Sequence, residues 1–367
     1  MKVTVPDYIM SLKPYKPGKP IEELEREYGI KNSIKLASNE NPLGPPASAV
    51  RAIKDAAENV HRYPDGGGFV LTRKIAEKVG VLSGNIVLGN GSDDIIGFLS
   101  RAFLAPGDEA VMTLPSFLMY DIMVKSAGAT SVMIPLQDAS QSFGTDLDEM
   151  LKRITPKTRM IFLTNPNNPT GAIITKEAFE SFFNAIPDGI VLVMDEAYIE
   201  FADKLQCVSG IDYLDNRVPV IVLRTFSKLY GLAGIRVGYG IMSEELAQVL
   251  HRVRQPFNVN SLAQAAAIAA LDDEDYLKKT EMVISEGLDY LYKALDKLGI
   301  DYFPTQANFF LIDVKQDADV VFEKMLRQGV IVRSMCSYGY PEYIRLTVGL
   351  PEENRRFIDA FEKVMTS

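Results

Sequence analysis

The run Pro219-Val220-Ile221-Val222-Leu223-Arg224-Thr225-Phe226-Ser227-Lys228-Leu229-Tyr230-Gly231-Leu232-Ala233-Gly234-Ile235-Arg236 decides how the rest of the chain is read. Residues 219–223 are a short apolar run that predicts a buried strand. Lys228 then stands alone among small and apolar residues, with hydroxyls at Thr225 and Ser227 before it and Arg236 after it. Desolvation lowers the pKa of a lysine and leaves a nucleophilic amine. Hydroxyls and an arginine suit a phosphate. A phosphorylated aldehyde needs both at once. Taken alone, Lys228 is equally compatible with a solvated charge at a strand end, so the remaining segments must decide.

Working outward, residues 46–250 alternate. Helices are predicted over 47–59, 69–79, 92–104, 117–128, 176–185 and 243–253. Strands are predicted over 85–88, 109–113, 130–134, 160–164, 190–194, 219–223 and 237–241. Short apolar strands separated by helices predict an α/β fold with a mostly parallel, seven-stranded sheet covered on both faces. Residues 261–299 are helix-rich with a break near 272–274. They precede strands at 309–313, 330–333 and 344–348 and helices at 318–328 and 352–365, a smaller α+β unit. Residues 1–45 are proline-rich, with one amphipathic stretch at 21–28. The expected division is an arm over 1–45 that packs on the small domain and a partner subunit, a large domain over 46–255 and a small domain over 256–367.

Composition narrows the function. The chain has 367 residues and a net charge of −9, which gives no basic footprint for nucleic acid or an anionic membrane. Cys207 and Cys336 are the only cysteines, and His61 and His251 the only histidines. A disulfide scaffold and a Cys/His metal site are therefore not expected. No run of about 18 apolar residues occurs. A cytoplasmic location is the simplest expectation.

In open α/β sheets, ligands bind beyond the carboxyl ends of the strands. Three further predicted strands end in residues with chemical potential. Gly89-Asn90-Gly91-Ser92-Asp93 precedes a helix and offers backbone N–H groups to an anion, although a plain turn with a helix cap reads the same. Asn165-Pro166-Asn167-Asn168-Pro169-Thr170-Gly171 makes a rigid turn able to hold the Asn165 amide toward a phenolate oxygen, or a tight surface turn. Asp195-Glu196-Ala197-Tyr198 puts a carboxylate directly after a buried strand, where it is costly unless paired. A protonated pyridine nitrogen would pair it, and Tyr198 would reach the neighbouring phenolate. A capping aspartate with a packing tyrosine is the plainer alternative.

Taken together, residues 165–171, 195–198 and Ser227-Lys228 with Arg236 resemble the fold-type I pyridoxal-phosphate aminotransferases over nearly the whole chain. More narrowly, the chain is similar to the histidinol-phosphate aminotransferases. The segments that carry this are Tyr15-Lys16-Pro17-Gly18-Lys19, Ala37-Ser38-Asn39-Glu40-Asn41-Pro42, Arg62-Tyr63-Pro64, residues 89–93, residues 255–263 and residues 344–349. The resemblance implies pyridoxal 5′-phosphate as cofactor, transamination with L-histidinol phosphate and 2-oxoglutarate as substrates, and a homodimer with shared active sites. It implies that Lys228 holds the cofactor aldehyde, that Asp195 faces the pyridine nitrogen, and that Asn165 and Tyr198 face the phenolate oxygen. Ser92, Asp93, Thr225, Ser227 and Arg236 would hold the phosphate. Tyr63 would reach the phosphate in the partner subunit. Phe117 would lie on the ring face, where many relatives have tyrosine. Arg345 would clamp a substrate carboxylate, with Arg333, Tyr15 and Asn39 also on the substrate side. Arg333 also fits a surface charge at a strand edge. An aromatic amino-acid aminotransferase is the nearest alternative on this scaffold. A decarboxylase of phosphorylated amino acids and a cofactor-binding regulator without turnover are further ones.

Overall fold

The structure is a computed structural model and describes residues 3–14 and 19–366. Its strands are β1 (Ile34–Lys35), β2 (Ile86–Gly89), β3 (Glu109–Leu114), β4 (Thr130–Pro135), β5 (Thr158–Thr164), β6 (Val191–Asp195), β7 (Val220–Thr225), β8 (Gly238–Ile241), β9 (Tyr302–Phe303), β10 (Phe309–Asp313), β11 (Val330–Ile331), β12 (Arg333–Ser334) and β13 (Tyr343–Thr347). Seven of them form one sheet in the order β2-β8-β7-β6-β5-β3-β4. β8 alone runs opposite to the other six strands. The mostly parallel α/β sheet expected from the alternating pattern is therefore present.

Each central strand feeds two cores. Leu192 and Met194 of β6 enter one cluster, and Val191 and Val193 the other. Strand side chains alternate between faces, so a strand covered on both faces must be apolar throughout. The helices Ala47–Ala57, Phe69–Val79, Lys176–Ala185 and Ser261–Leu271 contribute to the first core. Ser92–Phe103, Met119–Ser126 and Glu244–Val253 contribute to the second.

A four-stranded antiparallel sheet, β12-β13-β10-β9, carries a separate core with the helices Ala318–Arg327 and Pro351–Met365. The single strand expected over 330–333 is two strands. β11 pairs with β1 of the arm, while β12 pairs with β13. The helix Ser261–Leu271, rich in alanine, packs into the core of the large sheet through Ala263, Ala266, Ala267 and Ala270. Small side chains let it sit close on Ala47–Ala57, the element it contacts most. The long helix Glu274–Leu298 then joins the two cores: Leu277 belongs to the first, and Ile284, Leu291 and Leu295 to the small-sheet core. The change of core thus falls inside this helix, downstream of residue 255. No helix among the described residues is long and apolar enough to cross a membrane.

Candidate active site

Thr164, Asp195 and Leu223 stand in register across β5, β6 and β7, so the carboxyl ends of three parallel strands are level. A cavity of about 200 Å³ opens beyond them. Lys228 lines it, with its amine 3.3 Å from the carbonyl of Ser38 and 5.6 Å above the Tyr198 ring. Burial, and then the Arg345 charge, lowers the lysine to about 8, with Glu40 acting in the opposite direction. An amine held near neutral pH is a base and a nucleophile.

Asp195 lines the same cavity and is buried. Burial pushes its carboxyl up to about 6, against hydrogen bonds from Tyr120 and the backbone of Ala197. The Tyr120 hydroxyl donates to Oδ2, and the Ala197 N–H donates to Oδ1 at 3.1 Å. Tyr198 is buried too, its hydroxyl raised to about 12 by that burial. That hydroxyl accepts from Asn39 Nδ2 at 3.0 Å. The Asn39 oxygen accepts from Thr347 Oγ1 at 3.0 Å, and its carbonyl accepts from Asn308 Nδ2 at 3.2 Å. The arm is thereby tied to the small sheet and to Tyr198 at one residue.

The other end of the cavity is an anion cradle. Ser92 and Asp93 open the helix Ser92–Phe103, and Ser92, Asp93, Thr225, Ser227 and Arg236 all line the cavity. Gly91 has φ 85°, and a Cβ there would lie 2.4 Å from Arg236 Nη2. Only glycine lets the guanidinium close on the helix start. Arg236 Nη1 donates to Ser227 Oγ at 3.4 Å, and Nη2 lies 3.4 Å from Asp93 Oδ2. Thr225 Oγ1 accepts from the Ser227 N–H at 3.1 Å. Burial raises the Asp93 carboxyl, with Arg236 opposing. A helix N-terminus, hydroxyls and an arginine form a donor set for phosphate.

One expectation needs correcting. Asn165 does not line the cavity. Its Nδ2 donates to the Val208 carbonyl at 2.8 Å, and its Oδ1 accepts from the Ile174 N–H at 2.8 Å. Its amide is therefore spent on closing the loop. Asn168, from the same turn, lines the cavity instead and accepts from Arg345 Nη1 at 2.6 Å. Both asparagines stand in one short run, and a tertiary contact 43 residues away selects between them. Tyr120, which reads as a core aromatic one turn after Phe117, was also not anticipated.

Phe117 lines the cavity, edge-on to Tyr120 with centroids 5.6 Å apart. Arg345 is buried, donates from Nη2 to the Ala37 carbonyl at 2.8 Å and lies 5.0 Å over Phe309. Arg333 is its directly opposite residue on β12, and itself lies 5.8 Å over Tyr338. Opposite residues of an antiparallel pair share a face. Neither arginine borders the cavity; Arg345 meets it through Asn168. Tyr63 lies away from this cavity, is 83 % exposed and stacks on Phe257 at 4.8 Å. Tyr15 lies outside the described residues.

The chain matches the family described as Aminotransferase class I and II over residues 31–361. It is 48% identical over 363 residues to a histidinol-phosphate aminotransferase of Desulfotalea psychrophila, covering 98% of this chain and 95% of the relative. A histidinol-phosphate aminotransferase of Moorella thermoacetica is 44% identical over 366 residues, 99% of this chain and 94% of the relative. Among solved structures, the histidinol-phosphate aminotransferase of Sinorhizobium meliloti, crystallised with pyridoxal-5'-phosphate, superposes with TM-score 0.89 at 30% identity, over 98% of this chain and 96% of that one. On these grounds and on the fold they accompany, the chain belongs to the class I and II aminotransferases.

Proposed function

We propose that this chain moves the amino group of L-histidinol phosphate to 2-oxoglutarate in L-histidine biosynthesis, giving imidazole acetol phosphate and glutamate, with pyridoxal 5′-phosphate as cofactor. One observation carries the reaction class: a desolvated amine, a buried carboxylate and an anion cradle open onto one cavity at the strand ends. The substrate follows the relatives, whose histidinol-phosphate name holds at 44% to 48% identity over nearly full length. The aromatic amino-acid alternative has no comparable support.

The cofactor fits the donor set. Its phosphate suits the N–H groups at Ser92 and Asp93, the hydroxyls of Thr225 and Ser227, and Arg236. Its ring nitrogen suits Asp195, and its ring face suits Phe117. When bound, it supplies an aldehyde for the amino donor and a cationic ring that accepts charge. Lys228 would hold that aldehyde. Its amine, neutral above about 8, takes the α-proton of the donor and returns it. Asp195, ionised, would pair with the ring nitrogen and hold a proton on it. Tyr198 would face the phenolate oxygen together with the Asn168 amide, whose oxygen is held by Arg345. Arg345 and its neighbour Arg333 receive the substrate anion. A guanidinium fork accepts phosphate or carboxylate, which serves both substrates.

The enzyme is proposed to be a homodimer and cytoplasmic. Exposed Tyr63 lines a surface groove with Val60 and Leu262, well placed for a partner subunit. A deeply buried free thiol, Cys207, accords with a reducing compartment. The visible absorption of the bound cofactor tests the whole reading. Titration with L-histidinol phosphate should bleach it at far lower concentration than phenylalanine does. An equal or better response to phenylalanine would transfer the assignment to aromatic amino acids.

A further inference from the structure

Asp195 has an arrangement behind it that the reaction alone does not require. Tyr120 is fully buried, and its ring stacks on Phe162 with centroids 4.7 Å apart. Its hydroxyl meets Asp195 Oδ2 on one side and Thr164 Oγ1 on the other, the latter at 3.1 Å. Thr164 Oγ1 lies 3.4 Å from Ser116 Oγ. All three hydroxyl residues are buried.

The hydrogens can be counted. A phenol has one, and an ionised carboxylate only accepts. Tyr120 therefore spends its hydrogen on Asp195 and must accept from Thr164. Thr164 has then spent its own hydrogen, so Ser116 donates to Thr164. We infer that Ser116, Thr164 and Tyr120 form a one-way chain of hydroxyls ending on Asp195, and that Tyr120 and Thr164 are positioning residues that hold this carboxylate ionised and aimed for the cofactor ring. Each donor in such a chain polarises the next, and a bond to a charged acceptor is about twice as strong as a neutral one.

The surroundings make the chain necessary. Among the described residues, no lysine or arginine pairs with Asp195 within 4.0 Å. The anionic groups Asp93 and Glu196 act on it and favour its protonated form, as does burial. Tyr198, Lys228 and Arg236 share its cavity, and the Ala197 N–H is its other donor. Removing the Tyr120 hydroxyl leaves one backbone donor against all of that. The ring stack with Phe162 survives in Tyr120→Phe, so the element that carries it keeps its packing.

The inference rests on the proposed pairing of Asp195 with the ring nitrogen, and the test separates the two. Affinity of the apoenzyme for pyridoxal 5′-phosphate is measured by equilibrium dialysis between pH 5 and 9 for the unaltered protein and for Tyr120→Phe, Thr164→Val and Asp195→Asn. In the unaltered protein, affinity falls as pH drops through the Asp195 titration. In Tyr120→Phe the fall should begin about one to two pH units higher, the equivalent of one charge-assisted bond. Thr164→Val should shift it in the same direction by less. Asp195→Asn reports the titration of every other group, the cofactor phosphate included. A Tyr120→Phe profile that overlays the unaltered one overturns the inference. An Asp195→Asn profile that overlays it overturns the pairing itself. If Tyr120→Phe fails to fold, Thr164→Val carries the same test, and an unshifted profile there overturns the chain.

Discussion

Asp195 ends β6 and Glu196 follows it directly, yet the two carboxylates meet different partners. Glu196 is fully buried and meets a full set of partners from its own chain. Arg224 approaches Oε2 with Nη2 at 2.7 Å and Nε at 3.1 Å. Ser209 Oγ and the Gly210 N–H donate to Oε1 at 3.0 Å and 2.6 Å. Asp195 has a hydroxyl, one backbone N–H and an open cavity. A buried charge must be paired. Glu196 is paired within the chain, and its work is structural. Among the described residues no lysine or arginine pairs with Asp195 within 4.0 Å, which is what a residue kept for a ligand looks like.

This contrast can be broken most directly at Asp195. Asp195→Asn keeps the shape and removes the charge. Turnover should fall about a hundredfold to a thousandfold, the scale of a lost charge-stabilising group. In the absence of cofactor the melting temperature should hold or rise, because a buried carboxylate with no cationic partner among the described residues has gone. Steady-state kinetics and thermal unfolding check both. Near-normal turnover with a lowered melting point would give Asp195 the structural role and undo the contrast.

Glu196→Gln should do the reverse. It strands the Arg224 charge, and breaking a buried pair costs about 3–5 kcal/mol of stability. The molecules that stay folded should keep turnover within about tenfold of normal. Denaturant unfolding with activity per folded molecule is the measurement. A large kinetic loss without a stability loss would mean that Glu196 acts on the reaction.

The two asparagines of the 165–171 turn repeat the contrast on a smaller scale. Asn165→Ala removes the partners of the Ile174 N–H and the Val208 carbonyl, and should cost about 1–3 kcal/mol of stability. Asn168→Ala should leave stability nearly unchanged and lower turnover about tenfold, by removing one acceptor of Arg345 and a donor from the cavity. If the kinetic loss follows Asn165 instead, the assignment of the two is exchanged.

Much of this was legible in the sequence, for a local reason. Apolar runs followed by Gly, Asn, Asp or Lys mark both a strand and the chemistry at its end, so Ser92, Asp195, Thr225, Lys228 and Arg236 could be placed in one cavity from spacing and resemblance. What was missed depends on distant pairings. Asn165 and Asn168 are alike until Val208 takes one of them. Tyr120 is an ordinary core aromatic until Asp195, 75 residues on, meets its hydroxyl. Residues 330–333 read as one strand because nothing local says that β11 will pair with the arm and β12 with β13.

The smallest expected effect concerns the lysine, and it extends the contrast from carboxylates to an amine. Lys228 is an amine that burial and Arg345 hold at about 8, below the usual 10.5. Between about 8 and 10.5 the unfolded chain binds the proton and the folded chain does not. Stability therefore rises with pH across that window, and below 8 the whole penalty of the buried charge is present. Lys228→Met keeps most of the apolar stem and removes the charge. In the absence of cofactor it should be more stable than the unaltered protein at pH 7, by about 1–2 kcal/mol once solvent screening of the half-buried amine is allowed for. At pH 10 most of that gain should vanish, because the native lysine has by then lost its proton. Denaturant unfolding of both apoproteins at the two pH values decides it. An equal gain at both would assign the effect to packing, and a loss at pH 7 would mean that the amine is stabilised by its surroundings, as the carboxylate of Glu196 is.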